Sequence, residues 1–207
     1  MKPLLPDAKA PAMTNVFVLC TGRCGSVTFA ASCEHLDNYT VGHESLAKTI
    51  GPDRFAYPSD HIEVDNRLAW HLGRLAAEFD GRDVKYVHLL RDPEEVARSL
   101  LDRWNSPYRA SMIRAYGHGV VMRMHDWPEA ERIDVCRDFV ATVTANIEDF
   151  LEGRDSMTVR TEKAVETMPD VFDWIGAEGD IDAALAEWGR RHNETTDYDR
   201  GIAAAED

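Results

Sequence analysis

Residues 16 to 28, VFVLCTGRCGSVT, constrain this chain more than any other stretch. Val16 to Cys20 are apolar and mostly β-favouring, which predicts a buried strand. Thr21-Gly22-Arg23-Cys24-Gly25 makes a short loop with two glycines, and the residues from Gly25 to Leu36 read as a helix. A strand that turns tightly into a helix aims several backbone N–H groups, and the positive end of the helix, at one point. That point favours a phosphate or sulfate, and Arg23, Ser26 and Thr28 add donors to it. The spacing is not that of a Walker loop, which needs GxxxxGK followed by Ser or Thr, because no Lys follows Gly25. Nor is it a Cys-based phosphatase loop, since Ser26 stands where that loop requires Arg. A strand–turn–helix that holds no ligand fits the same residues, so the rest of the chain has to decide.

Charge makes the local basic residues informative. The chain has 37 acidic and 23 basic residues and a net charge of −14, which argues against nucleic acid or an anionic membrane as the main partner. Arg23 and Arg91, each at the end of an expected strand, oppose that trend. At 207 residues, one α/β domain with a sizeable core is expected, with a loose lead-in over 1–14 and a polar tail over 193–207. No apolar run approaches the roughly 20 residues of a membrane span, and the first residues lack the apolar stretch of a signal peptide. Cys20, Cys24, Cys33 and Cys136 form no CxxC pair, so no metal site is expected. The cysteines point to a reduced, cytoplasmic protein.

Further along, Tyr39 to Gly42 reads as a short strand ending in Gly42-His43-Glu44-Ser45. Ligands of parallel α/β sheets sit at the C-terminal ends of strands, which puts His43 and Glu44 where they can meet whatever the first loop holds. His61 to Val64 reads as another short strand, and Asp65 as the N-cap of a helix to about Phe79. Glu63, Asp65 and Asn66 form a polar cluster there, either a site or capping chemistry. Val84 to Leu90 is the clearest strand, and Arg91-Asp92-Pro93-Glu94-Glu95 opens a helix with Pro and acids in its first turn. Ser99 lies eight residues after Arg91 and returns toward the strand end only if that helix folds back. Residues 106–127 read as broken helix, a candidate lid or acceptor wall; a long amphipathic helix follows Pro128, then a strand over 156–160 and two more helices. Helices interleaved with four or five short strands predict a three-layer α/β sandwich around a mostly parallel sheet.

The ordered pair VLCTGRCGSVTF and YVHLLRDPEEVARSL resembles the two nucleotide signatures of the sulfotransferase family. The resemblance implies a P-loop-like topology and transfer of a sulfuryl group from 3′-phosphoadenosine 5′-phosphosulfate, without a metal, to a hydroxyl or amine. It implies that Arg23, Cys24, Gly25, Ser26, Val27 and Thr28 cradle the 5′-phosphosulfate and that Arg91 and Ser99 hold the 3′-phosphate. The segment Gly42-His43-Glu44-Ser45 resembles the one that carries the catalytic Glu in tyrosylprotein and heparan-type sulfotransferases, which marks Glu44 as the base, with His43 or Glu63 as alternatives. His61, Glu63, Asp65 and Asn66 are the expected acceptor-side residues. The chain departs from the family pattern at Cys24, where Ser is commoner, and at Val27, where Thr is commoner. A small molecule, lipid, carbohydrate or peptide could be the acceptor. A P-loop nucleotide kinase or NTPase, and a nucleotide-binding module without catalysis, are the competing readings.

Overall fold

The structure, a computed structural model, describes residues 14–104, 112–123 and 127–190. The expected lead-in and tail therefore lie outside the described residues, apart from Thr14, as do residue 105 and residues 106–111 and 124–126 of the expected broken helix.

Five strands form one wholly parallel sheet. They are β1 (Thr14–Leu19), β2 (Thr40–His43), β3 (His61–Val64), β4 (Asp83–Leu90) and β5 (Ser156–Arg160), in the spatial order β2-β3-β1-β4-β5. β1 is central, and Val16, Phe17, Val18 and Leu19 are at most 1% exposed. A parallel strand covered on both faces needs a continuous apolar run rather than an alternating one, which is what VFVL supplies. Val18 lies opposite Val64 of β3 and Val87 of β4; His43 lies opposite Val64, and Leu90 opposite Arg160. This register brings the C-terminal ends of all five strands, and the loops that follow them, to one edge.

Among the described residues, seven α-helices accompany the sheet: α1 (Ser26–Cys33), α2 (Leu72–Glu78), α3 (Pro93–Leu101), α4 (Met112–Ala115), α5 (Glu129–Leu151), α6 (Ala164–Ile175) and α7 (Ile181–Ala186). α1, α6 and α7 cover one face, where Phe29 meets Trp188 edge-on at 6.0 Å. The other face carries α5, with α3 and α4 packed on it. There Phe17 contacts Phe79 and Tyr86, and Tyr86 meets Phe150 of α5 at 5.3 Å. Among the described residues no helix is long and apolar enough to cross a membrane.

The single helix expected over 65–79 is two elements. Asp65 does cap, accepting from the Arg67 N–H at 2.7 Å, but what it caps is a 3-10 turn over Asn66–Trp70. His71 then leaves helical geometry, packs edge-on to Phe55, and α2 starts at Leu72. Tertiary packing of His71 overrides the helical spacing of Leu68, Leu72 and Leu75.

Candidate functional site

The loop after β1 owes its shape to backbone conformations that few residues adopt. Gly22, Arg23 and Gly25 all have positive φ, at 81°, 59° and 86°. Gly25 is needed twice over: besides its left-handed backbone, a Cβ there would sit 3.2 Å from Cγ2 of Thr161. α1 starts at Ser26 with no side-chain cap. The first N–H groups of any helix lack acceptors within it, and here they point into the loop. Thr161, just past β5, lies 2.6 Å from the Cys24 carbonyl and 3.0 Å from the Leu90 carbonyl, so its hydroxyl ties the loop to the end of β4.

Arg23 is held at both ends. Its Nε donates to the Ser99 hydroxyl at 2.9 Å, and its carbonyl accepts from Arg91 at 3.3 Å. α3 therefore does fold back over the end of β4, and Asp92 starts it by accepting from the N–H groups of Glu94 and Glu95. Burial, and then the charges of Arg103 and Arg91, hold the Arg23 guanidinium below its usual range. The charges of Arg103 and Arg91 bearing on Arg23, in a protein of net charge −14, make a local positive centre that an anion would relieve. The Cys24 thiol is 1% exposed, so a ligand at this loop meets its backbone only. The neighbouring Cys20 thiol and the Thr21 hydroxyl, 3.8 Å away, lower the pKa of the Cys24 thiol against burial.

The end of β2 faces the same loop. Nε2 of His43 lies 3.2 Å from the Ser26 hydroxyl. Glu44 adopts φ 51°, a left-handed conformation that costs a non-glycine residue about 1–2 kcal/mol. Its carboxylate accepts from Nδ2 of Asn66 at 2.9 Å and pairs with Arg67. Asn66 in turn packs on the first loop, where a Cβ at Gly22 would lie 3.1 Å from its Nδ2. Arg23 and Glu44 are two of only four non-glycine residues with positive φ among those described, and strain of this kind gathers at functional sites.

Three of the four expected acceptor-side residues lie beneath this surface. Glu63 and Asp65 are 0% exposed and His61 is 5% exposed, so none offers a face to a substrate; only Asn66 is partly open. Glu63 accepts from the Ser45 N–H at 2.8 Å, the Ser45 hydroxyl at 2.5 Å and Nε2 of His61 at 3.0 Å. Burial pushes the Glu63 carboxyl up, but the bonds from His61 and Ser45 together outweigh it and leave Glu63 below the usual carboxylate range. Asp65 pairs with the buried Arg54, which also donates to Tyr57 at 2.6 Å. The sequence pattern cannot show that these acids are turned away from the surface, which follows from the burial of four-residue β3 and of Asp65 after it.

Three further residues shape the site without having been singled out. Thr161 and Arg103 come to the loop from distant parts of the chain, and Arg67, with Ser45 of the Gly42–Ser45 segment, holds the Glu44 turn. Arg67 follows Asn66, which is the only local signal for it. Nothing near Thr161 in sequence announces its role.

No protein-family model matches the chain, and no curated protein matches it in sequence. Among solved structures, the sulfotransferase domain from the curacin biosynthetic pathway superposes with a TM-score of 0.52 at 14% identity, covering 89% of this chain and 80% of that one. The sulfotransferase domain from the Synechococcus PCC 7002 olefin synthase gives the same TM-score and identity, covering 92% of this chain and 82% of that one. The chain has a sulfotransferase-like fold.

Proposed function

We propose that this protein is a sulfotransferase that moves a sulfuryl group from 3′-phosphoadenosine 5′-phosphosulfate to a hydroxyl or amine. The observation that carries the reading is the double tether of Arg23, to Ser99 through its side chain and to Arg91 through its carbonyl, over a glycine loop that opens α1. It joins both nucleotide signatures into one positive centre. The donor fits the donors present: backbone N–H groups of residues 24–28 and the Ser26 hydroxyl for the phosphosulfate, Arg91 and Ser99 for the 3′-phosphate. A Ser99 hydroxyl that accepts from Arg23 still has its own proton to donate.

In the transfer, the bond from acceptor oxygen or nitrogen to sulfur forms as the bond from sulfur to the 5′-phosphate oxygen breaks. Arg23 and the loop N–H groups meet the charge growing on the leaving phosphate; one such group is worth about 10²–10³ in rate. Glu44 takes the acceptor's proton, a contribution of about 10²–10⁴. Asn66 and Arg67 engage its oxygens, yet a carboxylate accepts at about four positions, so room for the acceptor's hydrogen remains. His43 is the second reading for the base, supported by its exposure and its 3.2 Å approach to Ser26. Small molecules, lipids, carbohydrates and peptides all fall within the proposed acceptor range. Four buried free thiols support a reduced, cytoplasmic setting.

The test is thermal stability with 3′-phosphoadenosine 5′-phosphate against ATP–Mg²⁺, in wild type and Arg91→Ala. Ligand at about 100 times its dissociation constant stabilises by roughly 2.7 kcal/mol. Stabilisation by the bisphosphate, weakened in Arg91→Ala, is expected. A response to ATP–Mg²⁺ alone would favour an NTPase instead. Sulfuryl transfer to any acceptor then separates the enzyme from a module that only binds nucleotide.

A further inference from the structure

We propose that Glu63 is a positioning residue: its buried carboxylate grips Ser45 and so fixes the left-handed turn that presents Glu44. The inference rests on the reading of Glu44 as the acceptor base. Glu63 lies on β3, directly alongside the strand that ends in His43, with Gly42 as its register partner. The carboxylate lies against the β2 backbone, and a Cβ at Gly42 would come within 2.3 Å of its Oε2. No residue larger than glycine fits there without displacing it. From that position Oε1 takes the Ser45 N–H, and Oε2 takes both the Ser45 hydroxyl and Nε2 of His61.

The rest of the cluster orients the carboxylate. With Nε2 of His61 donating to Glu63, Nδ1 accepts from the Thr40 hydroxyl at 2.8 Å, and the ring stacks on Tyr57 at 5.5 Å. Glu44 is thus pinned on both sides. Its own N–H donates to the Val64 carbonyl at 3.1 Å, and the next residue is held through both its N–H and its hydroxyl. A φ of 51° at Glu44 does not persist unless its surroundings over-determine it, and these bonds are what over-determines it. The carboxylate of Glu63 itself is 0% exposed and held by three donors, so no acceptor reaches it, which suits holding rather than proton transfer.

Three variants of the full chain test this: Glu63→Ala, Glu63→Gln and Ser45→Ala. Gln can still accept from the Ser45 N–H and can donate to the Ser45 hydroxyl oxygen and to a switched His61 tautomer, so it keeps the grip while losing the base. The first readout is hydrogen exchange at the Ser45 amide and the Asn66 side-chain amide by NMR, which needs no ligand. Glu63→Ala is expected to speed exchange at Ser45 about tenfold, the worth of one part-buried hydrogen bond to a carboxylate, and to loosen Asn66 with it. Ser45→Ala does so more weakly and serves if Glu63→Ala fails to fold. The second readout is turnover with 3′-phosphoadenosine 5′-phosphosulfate. Glu63→Ala is expected to lower kcat about 10–100-fold with the donor KM unchanged, and Glu63→Gln to recover most of that loss.

Glu63→Gln as inactive as Glu63→Ala, with exchange at the wild-type rate, would make Glu63 a proton acceptor and overturn the positioning role. Unchanged exchange in both Ser45→Ala and Glu63→Ala would overturn the grip. A wild type that neither binds the bisphosphate nor transfers sulfuryl overturns the parent reading and the role of Glu44, whatever the exchange data give.

Discussion

Arg23 donates to Ser99 across 2.9 Å, joining the loop after β1 to α3, 76 positions further along the chain. The bond makes the second signature a support for the first, so the two should not fail independently. Arg23→Ala is expected to raise the dissociation constant of 3′-phosphoadenosine 5′-phosphate about 10–150-fold, the worth of a charge-assisted hydrogen bond. Ser99→Ala, losing a neutral one, should cost about 3–10-fold. Arg23→Lys should fall close to Ala, because an ammonium cannot reproduce the Nε bond to Ser99 while also facing the ligand. Calorimetric titration of the four proteins checks the order; a Lys variant that binds like wild type would remove the tether from the argument.

Thr161 tests how the loop keeps its shape. Its hydroxyl is the link between the Cys24 and Leu90 carbonyls, and its methyl lies where a side chain at Gly25 would go. Thr161→Val keeps the volume and removes the bond. Leaving a part-buried carbonyl unsatisfied costs about 1–2 kcal/mol, read as a lower urea midpoint at unchanged slope. Bisphosphate affinity should fall several-fold as well, since the loop loses a fixed point. A drop in stability with no change in affinity would confine Thr161 to the scaffold.

The chain carried its fold openly where burial is two-sided. VFVL in β1 and, His88 apart, YVHLL in β4 are the apolar runs that strands covered on both faces need, and the register of parallel strands then brings their C-terminal ends together. The turn after β1 was legible because Gly22 and Gly25 mark a left-handed backbone locally. What stayed hidden depends on approach between distant segments. Thr161 reaches Cys24 from 137 positions away, and Arg103 joins the guanidinium cluster through the path of α3. The β3 acids misled because a carboxylate in a short strand looks the same whether it faces a cleft or the core; only the Arg54, His61 and Ser45 partners decide.

The Arg54–Asp65 pair gives a sign test for a buried charge. Both side chains are at most 3% exposed and lie 2.5 Å apart. Asp65→Asn strands the guanidinium and weakens the cap on the 3-10 turn, an expected loss of about 3–5 kcal/mol. Removing both charges, in Arg54→Met with Asp65→Asn, should destabilise less than Asp65→Asn alone, because no unpaired charge remains buried. Denaturant titration of the single and double variants measures this. A double variant weaker than the single would mean that Arg54 contributes through Tyr57 rather than through Asp65.

His88 gives a test of stability against pH. It sits in β4 at 3% exposure, opposite Leu19 of β1 and Thr158 of β5, and its Nε2 has no hydrogen-bond partner among the described residues. Burial first, and then the charge of Arg160, pull its pKa from 6.5 down to about 4. The folded state therefore resists a proton that the unfolded chain accepts. Between those two values the unfolded state binds more protons, so stability rises with pH and is lost as pH falls through 6.5 toward 4. Integrated from about pH 7.5 to about pH 5, the loss is on the order of 2 kcal/mol. His88→Phe removes the titrating group and keeps an aromatic ring, so its stability should change less over that interval by about the same amount. Urea unfolding of both proteins at the two pH values gives the difference directly. If both lose the same stability on acidification, His88 is protonated in the fold without penalty, and the acid sensitivity has to be sought in the carboxylates.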